Sequence, residues 1–328
     1  MKGGAKRSRN VIGRVGGLPL RGRADVDLTT KVGKVVFTNP VMTASGTAGH
    51  GAELGAYFDL SHLGAVVVKS LSARPWQGNP APRLHPVAAG MMNSVGLQNP
   101  GVDAWRAHEL PELASRGATV VASIWGFTVE DYKMAADALA ACGPEVVAVE
   151  VNLSCPNTEA GRQMFAHDPA RAAAAIAATS GCGRPRWAKL SPNVTDLVPI
   201  AGAVYEAGAD AVTLVNTVMG LALDPATGKP RLGNGGGGLS GAAIHPVAVR
   251  AVYEVRAAFP FSPIVGVGGV TSGESAAELL AAGANAVEVG TATFADPRAP
   301  SRVLHELRAW CARHKIKHID DLIGRAHR

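Results

Sequence analysis

Ala281-Ala282-Gly283-Ala284-Asn285-Ala286-Val287 ends one helical pattern, turns on a glycine and opens a valine-rich run. Glu206-Ala207-Gly208-Ala209-Asp210-Ala211-Val212 repeats the same junction earlier in the chain. Each reads as helix, glycine C-cap, short turn and strand. Working outward, short apolar runs of this kind occur at Val41–Gly46, Ala65–Leu71, Thr119–Gly126, Val147–Ser154, Arg186–Pro192, Ala211–Thr217, Ile264–Val270 and Ala286–Ala292. Near-continuous hydrophobic strands are what a parallel sheet covered on both faces requires. Between them, Thr128 to Asp131 and Thr271 to Glu274 have capping-box spacing, and the second opens a helix that stops at Gly283. Eight strand–helix units over about 250 residues predict an α/β fold, a closed (β/α)8 TIM barrel.

An open, doubly wound sheet competes with this, but it would carry a Gly-x-Gly-x-x-Gly turn after an early strand. The nearest glycine cluster, Gly266, Gly268 and Gly269, sits in the seventh run instead. The wide gaps at 72–118 and 218–263 predict more than one helix each and loops over the barrel mouth. Gly233–Gly241 reads as a mobile loop leading to an N–H donor at Gly241. Val26–Asn39, with alternating Val and Phe around Gly33, predicts an N-terminal hairpin closing the barrel floor.

Composition agrees with one large core. Of 328 residues 47% are hydrophobic, with 39 Gly, 21 Pro and few aromatics, which excludes collagen, coiled coil and disorder. A net charge of +6 suggests nucleic acid until it is located: residues 1–24 hold seven basic residues and no acid, leaving 25 basic against 26 acidic elsewhere. The expectation is a solvated, disordered basic arm over 1–24 and a single barrel domain over 25–328, with no nucleic-acid partner. No apolar stretch is long enough for a membrane helix and no secretory pattern opens the chain. Cys142, Cys155, Cys182 and Cys311 form no Cys-x-x-Cys, so no metal or cluster site is expected and a reducing cytoplasm fits.

Barrel chemistry sits where strands run into loops at the C-terminal mouth. Those positions are Ser45, Lys69, Ser70, Ser123, Asn152, Cys155, Lys189, Asn216, Thr217, Gly268, Gly269, Gly290 and Thr291, joined by Asn93. The set is rich in amides and lysine and holds no carboxylate pair, which argues against glycoside hydrolysis and a hard-metal site. Gly268-Gly269 and Gly290-Thr291 read either as a phosphate seat of backbone N–H groups or as relief of crowding at the rim. Lys69 and Lys189 read either as cations facing an anionic ligand or as solvated rim lysines. Cys155 is the thiol placed to react, as base or nucleophile, whereas Cys142 and Cys182 read as inert.

Asn152-Leu153-Ser154-Cys155-Pro156-Asn157, Met91 through Gly101, Lys189-Leu190-Ser191-Pro192-Asn193, Asn216-Thr217 and Gly238-Leu239-Ser240-Gly241 occur in an order that resembles class 1 dihydroorotate dehydrogenase, from about Leu28 to Gly324. The resemblance implies FMN-dependent oxidation of dihydroorotate to orotate in pyrimidine synthesis. It implies FMN contacts at Ser45, Lys69, Ser70, Ser123, Asn152, Lys189, Val215, Gly241, Gly268, Gly269, Gly290 and Thr291. It implies substrate contacts at Lys69, Asn93, Ser94, Val95, Gly96, Leu97, Asn152, Asn216 and Thr217, with Cys155 as general base and hydride passing to flavin N5. Ser123 stands where 1B proteins commonly have asparagine. GLQNPG, KLSPN and LSGAAIHP are closer to the 1B subclass than to 1A. In 1B, electrons reach NAD through a second subunit carrying FAD and a 2Fe-2S cluster, which implies a homodimer or a heterotetramer with that subunit. A fumarate-linked 1A enzyme, a dihydropyrimidine dehydrogenase of the same fold and a non-catalytic flavin scaffold are the alternatives.

Overall fold

The structure, a computed structural model, describes residues 26–154 and 164–328. The basic arm at 1–24 and Cys155 lie outside the described residues. The first elements are β1 (Thr30–Val32) and β2 (Val35–Phe37), an antiparallel hairpin in the expected place. The eight apolar runs form β3 (Val41–Thr43), β4 (Val66–Val67), β7 (Val120–Ile124), β8 (Val146–Asn152), β9 (Arg186–Lys189), β10 (Ala211–Leu214), β13 (Ile264–Val267) and β14 (Ala286–Val289), all parallel, in the order β3-β14-β13-β10-β9-β8-β7-β4.

The sheet closes between its two shortest members. Met42 bridges Ala65, and the Thr43 N–H donates to the Ala65 carbonyl at 3.2 Å. Next to that bridge the Thr43 hydroxyl takes over the ladder, accepting from the Val67 N–H at 2.9 Å and donating to the Val67 carbonyl at 3.2 Å. A side chain thus supplies hydrogen bonds that two short strands lack, pairing the Val67 N–H and carbonyl at the seam.

Outside the barrel run α1 (Val102–His108), α2 (Leu110–Ser115), α3 (Val129–Leu139), α4 (Pro169–Ala178), α5 (Val198–Glu206), α6 (His245–Ala258), α7 (Gly273–Ala282), α8 (Ala292–Ala295) and α9 (Ala299–Arg313). Among the described residues no helix is long and apolar enough to cross a membrane. The Thr128 capping box forms as expected, with Thr128 Oγ1 accepting from Asp131 N and Asp131 Oδ2 from Thr128 N. The second box sits one residue later than the spacing predicts: Ser272, in extended conformation, caps α7 and pairs with Ser275, while Glu274 stays in the first turn. There its charge suits the helix N-terminus without making the cap.

The 218–263 gap holds one α-helix, α6, where more were expected. The difference is a second sheet of β5 (Leu84–Val87), β6 (Gly90–Asn93), β11 (Val218–Gly220) and β12 (Gly237–Ser240), antiparallel in the order β11-β12-β6-β5. Of the glycine run read as a mobile loop, Gly237–Ser240 is therefore strand β12, flush against its neighbours, while 233–236 form the turn that leads into it. A Cβ at Gly237 would fall on the Asn93 carbonyl and one at Gly238 on the Thr217 side chain.

The barrel floor is apolar. Met42, Ala65, Val67, Val121, Ala148, Trp187, Ala211, Val265 and Ala286 meet there, covered from below by Val32 and Phe37 of the hairpin. Phe37 meets Trp187 edge to face, with ring centroids 6.0 Å apart. Replacing a buried aromatic by alanine loses both transfer energy and packing. Phe37→Ala should therefore lower stability to chemical denaturation by about 3–5 kcal/mol. Val36→Ala, on the exposed face of the same strand, should change it by less than about 0.5 kcal/mol.

Candidate active site

Side chains alternate along a strand, so the inward-facing parity that fills the floor can be followed upward two residues at a time. Above Ala148 stand Glu150 and Asn152; above Trp187, Lys189 and Ser191; above Ala211, Thr213 and Val215; above Ala286, Glu288 and Gly290. Asn152, Ser191, Val215 and Gly290 line a cleft of about 1330 Å³, counted to its open mouth. Between floor and cleft lies a fully buried layer of Ser123, Glu150, Lys189, Thr213 and Glu288.

Lys189 is consequently not a rim lysine. It is 3% exposed, and its Nζ lies 2.9 Å from Ser45 Oγ, 3.1 Å from Glu288 Oε2 and 3.4 Å from Glu150 Oε1. Burial alone would favour the neutral amine, but the attraction of Glu150 and Glu288 outweighs it and raises the lysine above its ordinary value. Glu288 is pushed well above the usual carboxylate range, first by burial and then by Glu150 beside it, with Lys189 offsetting only part. The carboxylate pair absent from the mouth positions thus exists one layer below. The signal was an acid inside an apolar strand at the parity of a mouth residue, in VAVEVN and AVEVG.

Lys69 leaves β4 at the cleft wall, half-buried, and its ammonium donates to the Gln98 carbonyl. Burial, then the nearby Arg83, lower it to about 8. The amides converge: Asn216 Nδ2 donates to Asn152 Oδ1 at 3.2 Å, Asn152 Nδ2 to Ser70 Oγ at 3.3 Å, and Asn93 Nδ2 to the Gly238 carbonyl at 3.4 Å. Val95, Gly96 and Leu97 pass along the cleft, with the Gly96 carbonyl held by Trp76 Nε1 at 3.0 Å. Thr217, Ser45, Ser70, Gly241, Gly268, Gly269 and Thr291 also line it.

Two expected residues lie elsewhere. Ser123 is below the cleft, linking Ser70 Oγ at 2.9 Å to Glu150 Oε1 at 3.1 Å. Ser94 turns away, its hydroxyl accepting from Asn79 Nδ2 at 2.9 Å, and so shapes the loop from behind. Met91, Ser191, Ser240, Thr47 and Phe294 join the lining without having been singled out. Ser154 and Met164, on either side of the segment that holds Cys155, line it as well.

At Gly269, φ is +66° and a Cβ would strike His245, so packing within the protein already requires glycine there. The backbone N–H groups of Gly269, Gly290 and Thr291, however, donate to no acceptor among the described residues. Free N–H donors at one end, a buried ammonium at the floor and amides at the other end fit an elongated ligand with an anionic tail and a polar ring, as a flavin nucleotide has.

A family model described as dihydroorotate dehydrogenase matches residues 27–310. The chain belongs to that family. It is 47% identical over 302 residues to a putative dihydroorotate dehydrogenase A (fumarate) of Solibacter usitatus, covering 90% of this chain and 97% of the other. It is 44% identical over 302 residues to the catalytic subunit of dihydroorotate dehydrogenase B (NAD(+)) of a Geobacter species, covering 91% and 97%. The corresponding subunit of Pelobacter propionicus is 44% identical over 299 residues, covering 91% and 98%. As a dihydroorotate dehydrogenase the chain is an oxidoreductase acting on a CH–CH group, in a flavin-dependent family that oxidises dihydroorotate in pyrimidine biosynthesis.

The raised Glu288 carries a stability consequence. Its carboxyl binds a proton in the folded state at pH values where the unfolded chain, near 4.5, has lost it. Folding therefore loses stability as pH rises above 4.5 toward the folded value. Glu288→Gln should remove that component, so that its unfolding midpoint gains on the wild type between pH 5 and about pH 7 and matches it below about pH 4. Paired denaturation series at these pH values check the sign.

Proposed function

We propose that the cleft binds FMN and dihydroorotate together. The phosphate would lie against Gly268, Gly269, Gly290 and Thr291, with Gly241 and Val215 lining the way to Lys189, Ser45, Ser70 and Lys69. FMN, when bound, supplies the two-electron acceptor for the hydride that leaves substrate C6. The observation that carries this reading is the convergence of three amides and two ammonium groups in one cleft of a dihydroorotate dehydrogenase family member.

Asn93, Asn152 and Asn216 each offer a donor and an acceptor, which suits a ring edged by alternating C=O and N–H groups. Lys69 supplies the charge for the substrate carboxylate, and the loop Asn93 to Leu97, with Thr217, completes the pocket. Ser94 and Ser123 act as positioning residues, the first through Asn79 and the second through Ser70. Cys155, carried by the Asn-Leu-Ser-Cys-Pro-Asn motif, takes the C5 proton as general base. Dihydrouracil, which has no carboxylate, would leave Lys69 without a partner, so dihydroorotate is the better fit.

For the acceptor, GLQNPG, KLSPN and LSGAAIHP and the B-type relatives support transfer to NAD through a second subunit. The A-type relative keeps fumarate as the other reading. Co-purification of an iron–sulfur flavoprotein supports the first. Efficient fumarate reduction by the chain alone overturns it.

Cys155→Ser should keep orotate binding but slow flavin reduction by dihydroorotate at least 100-fold at pH 7, because an unactivated hydroxyl is a far weaker base. Stopped-flow reduction at the wild-type rate would remove Cys155 from the chemistry. The lowered value of Lys69 makes a second prediction. Its ammonium is lost as pH rises through about 8, so orotate affinity should fall above that pH, approaching tenfold per unit. Lys69→Arg, which stays charged, should show a flat calorimetric profile to about pH 10.

A further inference from the structure

Glu150, from the neighbouring strand β8, and Glu288, from β14 across the barrel, reach the same ammonium, and each presents only one oxygen to it. The second oxygens, Glu150 Oε2 and Glu288 Oε1, are buried without a hydrogen-bond partner, as is the hydroxyl of Thr213. Among the described residues, the donor besides Lys189 that reaches the pair is Ser123 Oγ, on Glu150 Oε1. Two ionised carboxylates would set two negative charges against one positive in a layer closed to water. The surplus charge would be strongly unfavourable there. One proton held by the pair removes that surplus and leaves ammonium and carboxylate in balance.

We propose that Glu150 and Glu288 share a single proton beneath Lys189, and that the one negative charge they keep sets how strongly Lys189 draws electrons onto the flavin above it. This rests on the reading that Lys189 faces the flavin. With the charge in place, the ammonium is half-spent on its own layer. Without it, the full positive charge acts on the cleft floor. Glu150 and Glu288 touch neither substrate nor cofactor here, so they are positioning residues whose effect passes through Lys189.

A shared proton has a signature that two independent charges lack. Either single substitution, Glu150→Gln or Glu288→Gln, leaves one acid free to ionise against Lys189, so the pair still carries one negative charge. Only the double variant removes it. In FMN-loaded protein at pH 7, each single variant should hold the two-electron reduction equilibrium of the bound flavin within threefold of wild type. The double variant should favour the reduced form at least tenfold, which is about 30 mV in midpoint potential. The triple variant that also carries Lys189→Met should fall back to the wild-type value or below it. Equal, additive steps from the two single variants would mean two separate charges and overturn the proposal, as would a double variant identical to wild type. If the triple variant matches the double, Lys189 does not face the flavin, and both this inference and that part of the functional reading fail.

The double variant leaves a buried ammonium unpaired and could fold poorly, so infrared spectroscopy provides a second arm. The wild type should show the carbonyl stretch of a buried protonated carboxylic acid at neutral pH, and each single variant should lose it. Persistence of that band in both single variants, or its absence from the wild type, overturns the shared proton whatever the flavin does.

Discussion

Lys189 stands on β9 with Glu150 on the neighbouring β8 and Glu288 across the barrel on β14, and the three side chains meet where a TIM barrel ordinarily stacks branched aliphatics. Burying an ammonium is tolerable only because carboxylates lie within about 3.5 Å on two sides, and burying the carboxylates only because the ammonium lies between them. This mutual dependence divides the barrel into three levels: an apolar floor, a charged middle and a polar cleft. Ser45 on the loop after β3 reaches Lys189 from above, and Ser123 joins the layer to Ser70 and through it to Asn152. The cleft amides are thus tied by a hydrogen-bonded chain to a charge they do not touch.

The wall around this layer is uneven. The β7–β8 and β8–β9 ladders are long, the first with a register shift between Val120 and Val121, whereas β4 contributes two residues and meets β3 through one bridge and the Thr43 hydroxyl. Lys69 and Ser70 follow one residue after that short strand, so two residues of the cleft lining are anchored at the seam with the fewest ladder bonds. Packing compensates, since Val66, Val67 and Val68 are all buried. Hydrophobic burial, more than sheet hydrogen bonding, holds this part of the mouth in place.

The eight strands were legible because a sheet covered on both faces writes itself as uninterrupted apolar runs, and the glycine junctions at Gly208 and Gly283 marked where helices had to end. The mouth residues were legible because they follow those runs directly. Glu150 and Glu288 are not legible from the ends of the runs, because each sits two residues before a residue of the cleft, on the same parity as Asn152 and Gly290. Lys189 is legible as a cleft residue, but its burial against two carboxylates is not. The second, antiparallel sheet was not legible, since its strands are three or four residues long and the glycine-rich β12 carries no hydrophobic period to read.

Strand β12 shows where sequence simplicity and tolerance part company. Four consecutive glycines, Gly235 to Gly238, look like the least specified stretch of the chain. The close approach of Asn93 to Gly237 and of Thr217 to Gly238 leaves no space for even a methyl group on that pair. A library that randomises every position should therefore recover diversity freely on the long amphipathic helix α9 and almost none at Gly237 and Gly238. The second half of a linker-like sequence, often chosen as the place to insert a tag or a loop, is here among the worst sites in the protein to do so, while Gly235 two residues earlier has open space around it.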